Sequence, residues 1–405
     1  MDASKVKTQR RNLLLAGLAL FAFATPATAQ IERRPRRRRR VRRPVLAVWR
    51  ATILERRRLN PERFERSRRG ENVVRARVIA IDPSPAGIAA MRRLGFRRLG
   101  ERSIGDLGVR VIILRPPPGM SAQEAIDALQ AADPQGAYEL NHLFDPSQGA
   151  SGASAPAAPR STNGAGLKIG MIDGGVASEH PALRSARIQA RNFTGESAPV
   201  ASPHGTAVAS LLIGADDDFR GVAPGAELYA ADVFGDAPEG GSAEAIADAL
   251  GWLSQQGVSV VNISLEGPPN RLVEAVCRAA IARGMILVAA VGNGGPTTPV
   301  AYPAAYPGVV AVTAVDSQNR VYLSANRGPQ VTFAAVGVSI EAAAEGDEYE
   351  VVSGTSFASP IVAAELALAR RGAATPTTAI NALAAGAVDL GAPGRDTVYG
   401  FGRVM

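Results

Sequence analysis

The stretch LKIGMIDGGV, Leu167 to Val176, is a nearly unbroken apolar run that stops at an aspartate and two glycines. A run of that length and texture suits a strand buried on both faces, with the aspartate at its exposed end. Further apolar runs follow in ELYAADVF, VSVVNISL, MILVAAVG and VVAVTAV. Between them lie SAEAIADALGWLSQQG and LVEAVCRAAIARG, whose apolar spacing fits helices. Alternating elements of this kind predict an α/β domain with a mostly parallel sheet covered on both faces. In such sheets ligands sit beyond the carboxyl ends of the strands, so polar residues there carry the functional information.

Upstream of Leu167 the texture changes twice. From Val73, VVRARVIAID, PAGIAAMRRLG, FRRLGERS, VRVIILRP, SAQEAIDALQAAD and AYELNHLF read as β-α-β-β-α-β, with Ser121 and Glu124 forming a capping box. This predicts a small α+β, ferredoxin-like domain over 71–145. A linker of small residues, proline and turn formers follows over 146–166.

The chain has 405 residues, 46% apolar and 20% charged, which fits two or three globular domains. Its net charge of +8 is unevenly placed: residues 31–70 hold seventeen Arg against four Glu. The rest of the chain is therefore acidic, and the basicity belongs to an arm over 30–70, expected to be solvated and unordered. Residues 1–29 combine Lys5, Lys7, Arg10 and Arg11 with an apolar run from Leu13 to Ala24 and a small-residue ending. That layout predicts a cleaved export signal, too short to be a stable membrane span. Cys277 is the only cysteine, so no intramolecular disulfide forms, and its helical setting makes it a core residue.

Three strand or helix ends carry chemistry: Asp173 in MIDGGV, His204 in SPHGTAVA and Ser356 in SGTSFASP. Singly, each is also a turn or a helix cap. Together they supply an anion, a base and a hydroxyl, the three roles of nucleophilic acyl transfer, in the chain order Asp, His, Ser. GTSFA is not the G-x-S-x-G of the α/β-hydrolases.

With VGN at Val291–Asn293, these motifs resemble the subtilisin-like serine proteases (peptidase S8, the subtilases), from Leu167 to the end of the chain. The resemblance implies a three-layer subtilisin-like catalytic domain over 167–405, cutting proteins or peptides without a cofactor. It implies Ser356 as nucleophile, His204 as base and Asp173 as its orienting partner. Asn293 and the Ser356 amide would bind the oxyanion. The family's substrate strands map onto Gly241 and Ser242 and onto Ser264, Leu265, Glu266 and Gly267. Ala289, Ala290 and Gly292 would complete a mostly apolar primary pocket. Glu266 stands where the family often has glycine; a carboxylate there could favour basic side chains, but a solvated surface glutamate is the plainer expectation. His180 matches a structural position, and His142 belongs to the small domain. No metal site is expected; ADDDF at Asp216–Asp218 is the nearest to a calcium cluster, and calcium stays open.

The resemblance also casts 71–145 as an inhibitory prodomain, removed by self-cleavage between Leu143 and Arg160, in an enzyme that is periplasmic or extracellular. Two other functions compete. The arm, residues 33–69, could contact polyanions or membrane surfaces in a catalytically limited self-processing protein. A non-catalytic binding protein on the same fold is the third, and the complete Asp-His-Ser set argues against it.

Overall fold

The structure is a computed structural model and describes residues 45–147, 150–151, 162–195, 197–373 and 375–404. These lie within one compact unit, Val41–Met405. The expected export signal, the start of the arm and most of the linker fall outside the described residues.

The remainder of the arm departs from the expectation of an unordered segment. Val45–Leu59 is a helix, α1, and Phe64–Arg66 is a strand, β1, paired antiparallel with β2, Asn72–Ile81. The cause is tertiary packing: Ile53 and Arg57 are only 4% and 7% exposed. Burial of one side holds a helix that its charged composition conceals.

After β2 the chain continues through α2 (Pro85–Arg93), β3 (Arg97–Ser103), β4 (Arg110–Arg115), α3 (Ala122–Ala132) and β5 (Ala137–His142). Ser84 caps α2, and the Ser121–Glu124 capping box starts α3. The strands are antiparallel in the order β5-β2-β4-β3, with β1 also on β2. Strand side chains alternate between faces. Val78, Ala80, Ile112 and Leu114 meet α2 and α3, whereas Ile79, Ile81, Val111 and Ile113 join the core of the larger domain.

Two short strands, β6 (Asp145–Pro146) and β7 (Ala150–Ser151), lead to the larger domain. It contains β8 (Lys168–Asp173), β9 (Arg187–Asn192), α4 (Pro203–Ile213), β10 (Glu227–Asp232), α5 (Ala243–Gln255), β11 (Val260–Ile263), β12 (Leu265–Glu266), α6 (Arg271–Ala282), β13 (Ile286–Ala290), β14 (Val310–Val315), β15 (Val331–Val336), β16 (Ile340–Ala343), β17 (Tyr349–Ser353), α7 (Thr355–Gly372) and α8 (Pro376–Gly386).

Seven strands form one parallel sheet in the order β15-β14-β13-β11-β8-β10-β9. Ile172, Ala231, Val261 and Leu287 face α5 and α6, while Met171, Ala230, Val260 and Val288 face α4 and α7. The three layers follow from that alternation. Cys277 lies in α6, and burial foremost pushes its thiol up to about 12, so it behaves as a small apolar residue.

The small domain docks its open sheet face on α5 and α6. Arg77 and Arg102 pair with Glu244 in the first turn of α5, and Asn141 exchanges hydrogen bonds with the Glu244 side chain and amide. Asn270, the N-cap of α6, donates to Leu140 O and His142 Nδ1, 3.0 Å each. Backbone meets backbone at Gly105 and Gly251, where a Cβ on Gly105 would stand 2.3 Å from Gly251 O.

Candidate active site

Asp173 is the last residue of the interior strand β8, and its partner in β10 is Asp232. His204 is the second residue of α4, which Pro203 opens and Ser202 caps by accepting from the Gly205 amide. Ser356 is the second residue of α7, the helix that follows Gly354. One strand end and two helix starts thus converge, as expected for a parallel sheet.

His204 Nδ1 lies 2.9 Å from both carboxylate oxygens of Asp173, and the Gly174 amide donates to Oδ1 at 2.6 Å. Engaged there, Nδ1 carries the proton and Nε2 is left as the basic nitrogen. Asp173, His204 and Ser356 are 0%, 2% and 0% exposed. His204 Nε2 and Ser356 Oγ are both buried without a hydrogen-bond partner, so the link between them is open in this arrangement.

Asn293 follows β13 by three residues. Its Oδ1 accepts from the amide and hydroxyl of Thr355, at 3.0 and 3.1 Å, which fixes the side-chain amide. Its Nδ2 is a buried donor with no partner. A free donor beside the start of α7 provides a place for developing negative charge.

Each substrate-strand residue named from the sequence meets the chain's own residues 143–147. Leu143 bridges Ser242, and the Phe144 amide donates to Gly241 O at 2.7 Å. β6 pairs antiparallel with β12, Pro146 opposite Leu265 and Asp145 opposite Glu266. The Ser147 amide donates to Ser264 O at 3.4 Å. Gly267 makes room for Phe144, since a Cβ there would reach 2.3 Å from its ring. β7 pairs with β17, Ser151 opposite Val352 and Ala150 opposite Ser353. Ala289 and Ala290 end β13 with no exposure, and Gly292 turns back at φ +99°.

Glu266 differs from a solvated surface group. Its Oε2 accepts from the Asn293 amide at 3.4 Å, and burial raises its carboxyl despite the opposing pull of Arg50.

Several contributors were not read from the sequence. Asn262 Nδ2 donates to Ser264 Oγ, which donates to Ser356 O, and Ser359 Oγ donates to Asn262 Oδ1. This chain ties the substrate strand to the helix of the serine. Helix α1 lies over the site: the Trp49 indole stacks on His204 with centroids 5.7 Å apart and 13° between planes, and stands edge-on to Phe234. Arg57 bonds to Asp145, Phe144 O and Gly240 O at 2.6, 3.1 and 3.0 Å. The run VLAVWRATIL held the available signal for α1.

Among the described residues no group of three or more His, Cys, Asp or Glu could hold a metal ion. Asp216 of the ADDDF stretch instead accepts from the amides of Asp218 and Phe219 and from the Tyr349 hydroxyl. No described helix is long and apolar enough to cross a membrane.

The family model of the subtilase family matches residues 164–402. Subtilisin Savinase of Lederbergia lenta is 37% identical over 228 residues, 55% of this chain and 83% of that protein. Fervidolysin from Fervidobacterium pennivorans, a keratinolytic enzyme related to subtilisin, is similar in fold, with TM-score 0.73 and 20% identity over 84% of this chain and 61% of its own. The prenylagaramide maturation protease PagA is 28% identical, with TM-score 0.52 over 59% of this chain and 90% of its own.

Proposed function

Because this chain belongs to the subtilase family and is a serine-type endopeptidase, we propose that it is made as a latent precursor that cuts itself after Ser147. The observation that carries this reading is the path of residues 143–147. They run antiparallel between Gly241–Ser242 and Ser264–Glu266, and β7 pairs with β17, the strand that precedes α7. Extended pairing of that kind is how a peptide is presented to a protease cleft.

In the reaction, Ser356 Oγ attacks the Ser147 carbonyl carbon while His204 Nε2 takes the hydroxyl proton. Asp173 holds the imidazole in the right tautomer and balances its charge. The oxyanion is met by Asn293 Nδ2 and the Ser356 amide. As the C–N bond breaks, His204 returns the proton to the Gln148 amine, leaving Ser147 esterified to Ser356. Water, deprotonated by the same imidazole, then releases the acid. Other proteins and peptides follow the same route once the cleft is vacated.

Latency has two layers in this reading. Residues 143–147 fill the substrate strand position, and α1 covers them, with Trp49 over His204 and Arg57 clamped on Asp145. The arginines of α1 support docking over polyanion binding for this part of the arm: Arg56 donates to Gly235 O, Arg57 is buried, and Arg58 pairs with Glu55. Export to the periplasm or the exterior, with 1–29 as the signal, completes the proposal.

A fluorophosphonate probe tests it. Labelling mapped to Ser356 in the processed form, with little in the precursor, is expected. No labelling of Ser356 in processed protein would refute the reading.

A further inference from the structure

Three backbone segments meet near Ser356, whose backbone oxygen accepts from Ser264 Oγ at 3.1 Å. Ser264–Gly267 is the first. Gly267 and Tyr302 exchange backbone hydrogen bonds at 3.0 and 3.2 Å, and the Ala301 amide donates to Val291 O at 2.9 Å. Ala301–Tyr302 therefore joins the first segment to the third, Val291–Asn293. In the register of residues 143–147, with the Ser147 amide donating to Ser264 O, the slot between the first and third segments is where the side chain just before the proposed cut would go.

Glu266 reaches across this slot. It leaves β12 on the first segment, and its Oε2 accepts from the Asn293 amide on the third at 3.4 Å. A Cβ placed on Gly292 would lie 3.0 Å from that oxygen and 3.2 Å from the Ala301 Cβ. The carboxylate is thus packed against the third segment, and Ala301 also lies beside Gly292. The charged groups facing it are Arg50 of α1 and Asp145 of β6. The residue before the proposed cut is Ser147, 2% exposed. Small size there agrees with a slot already occupied.

We propose that Glu266 is a specificity-determining residue that fills the slot, so that the processed enzyme cuts after serine, alanine or glycine and excludes large side chains. The inference rests on the peptidase reading above and names its substrate class. A side chain of phenylalanine size would have to displace the Glu266 carboxylate from the Asn293 amide and from its contact with Gly292. Excluding a few methylenes from a pocket is worth about tenfold or more in kcat/KM. Charge is secondary here: an arginine substrate must also find room for its stem.

The test compares peptides Suc-Ala-Ala-Pro-X-p-nitroanilide, with X as Ala, Ser, Phe or Arg, on the processed protein obtained from the full-chain precursor. Wild type is expected to favour Ala and Ser over Phe and Arg by about tenfold or more in kcat/KM. Glu266→Gly should raise the Phe-to-Ala ratio by about tenfold, and Glu266→Ala should shift it in the same direction. Glu266→Gln, similar in size without the charge, should keep the wild-type ratio. Equal cleavage of Phe and Ala by wild type overturns the inference. So does a preference for Arg that Glu266→Gln abolishes, because Glu266 would then attract a cation rather than fill space. A flat panel with Ser356 still labelled by the probe defeats only this inference. Failure to cut any peptide, with Ser356 unlabelled, defeats the peptidase reading and this inference together.

Discussion

The Trp49 indole lies nearly parallel to the His204 imidazole, 13° between planes and 5.7 Å between centroids, although 155 positions separate them in the chain. A Cβ on Gly174 would stand 2.8 Å from Cζ2 of the same indole. The ring therefore covers the base and the turn after Asp173 together. An aromatic contact of this type contributes about 0.5–1.5 kcal/mol beyond its buried area. Trp49→Ala should accordingly raise fluorophosphonate labelling of the precursor about two- to tenfold. An unchanged labelling rate would show that α1 does not limit access.

Thr355 holds Asn293 Oδ1 with its amide and hydroxyl, which leaves Nδ2 a buried donor with no partner. Asn293→Ala should lower kcat by about 10²–10³-fold with a smaller change in KM, a figure that comes from subtilisin itself rather than from this geometry. Thr355→Val keeps the backbone amide donor and removes the hydroxyl, so its loss should be smaller. Steady-state kinetics on the processed protein checks both. A change in KM alone for Asn293→Ala would contradict the assignment.

Gly105 and Gly251 touch across the junction of the two domains. Gly251→Ala forces an overpacked contact that costs about 1–3 kcal/mol unless the small domain shifts. The processed variant should release the cleaved small domain faster, as read by gel filtration. Unchanged retention would mean the junction is looser than this contact implies.

His142 sets a direction for pH. Burial foremost holds its imidazole below the ordinary range, while Glu139, Glu71 and the Leu140 backbone pull upward and Arg69 pulls down; the contact of Asn270 Nδ2 with Nδ1 suits the neutral ring. Undocked, the imidazole protonates near its ordinary pKa of about 6.5. Docking is thus favoured fully above that pH and weakens below it, at most about tenfold per pH unit from this one group. Release of the small domain from probe-blocked, processed protein should accelerate between pH 7 and 5, and His142→Gln should flatten the trend. An identical pH trend in that variant would assign the effect elsewhere.

The parts legible in the sequence share one property: their signal is local. Asp173 ends an unbroken apolar run, while His204 and Ser356 each open an apolar helix, so strand ends and helix starts announce the site before any packing is known. The start of α3 was equally open, because Ser121 and Glu124 satisfy each other within one turn. Helix α1 was hidden because its order comes from surfaces supplied by distant segments, Phe234 under Trp49 and Asp145 beside Arg57. Its arginines read as a solvated run, although Arg57 is buried. Glu266 was misplaced for the same reason: its surroundings depend on Gly292 and Asn293, brought up by β13.

The most direct measurement follows the purified precursor and its Ser356→Ala variant by intact mass and N-terminal sequencing. Wild type should convert at a rate independent of dilution to a form beginning at Gln148, while Ser356→Ala stays whole. Maturation of the variant under the same conditions, or a wild-type product that begins far from Gln148, would contradict both the nucleophile and the strand register on which the mechanism stands.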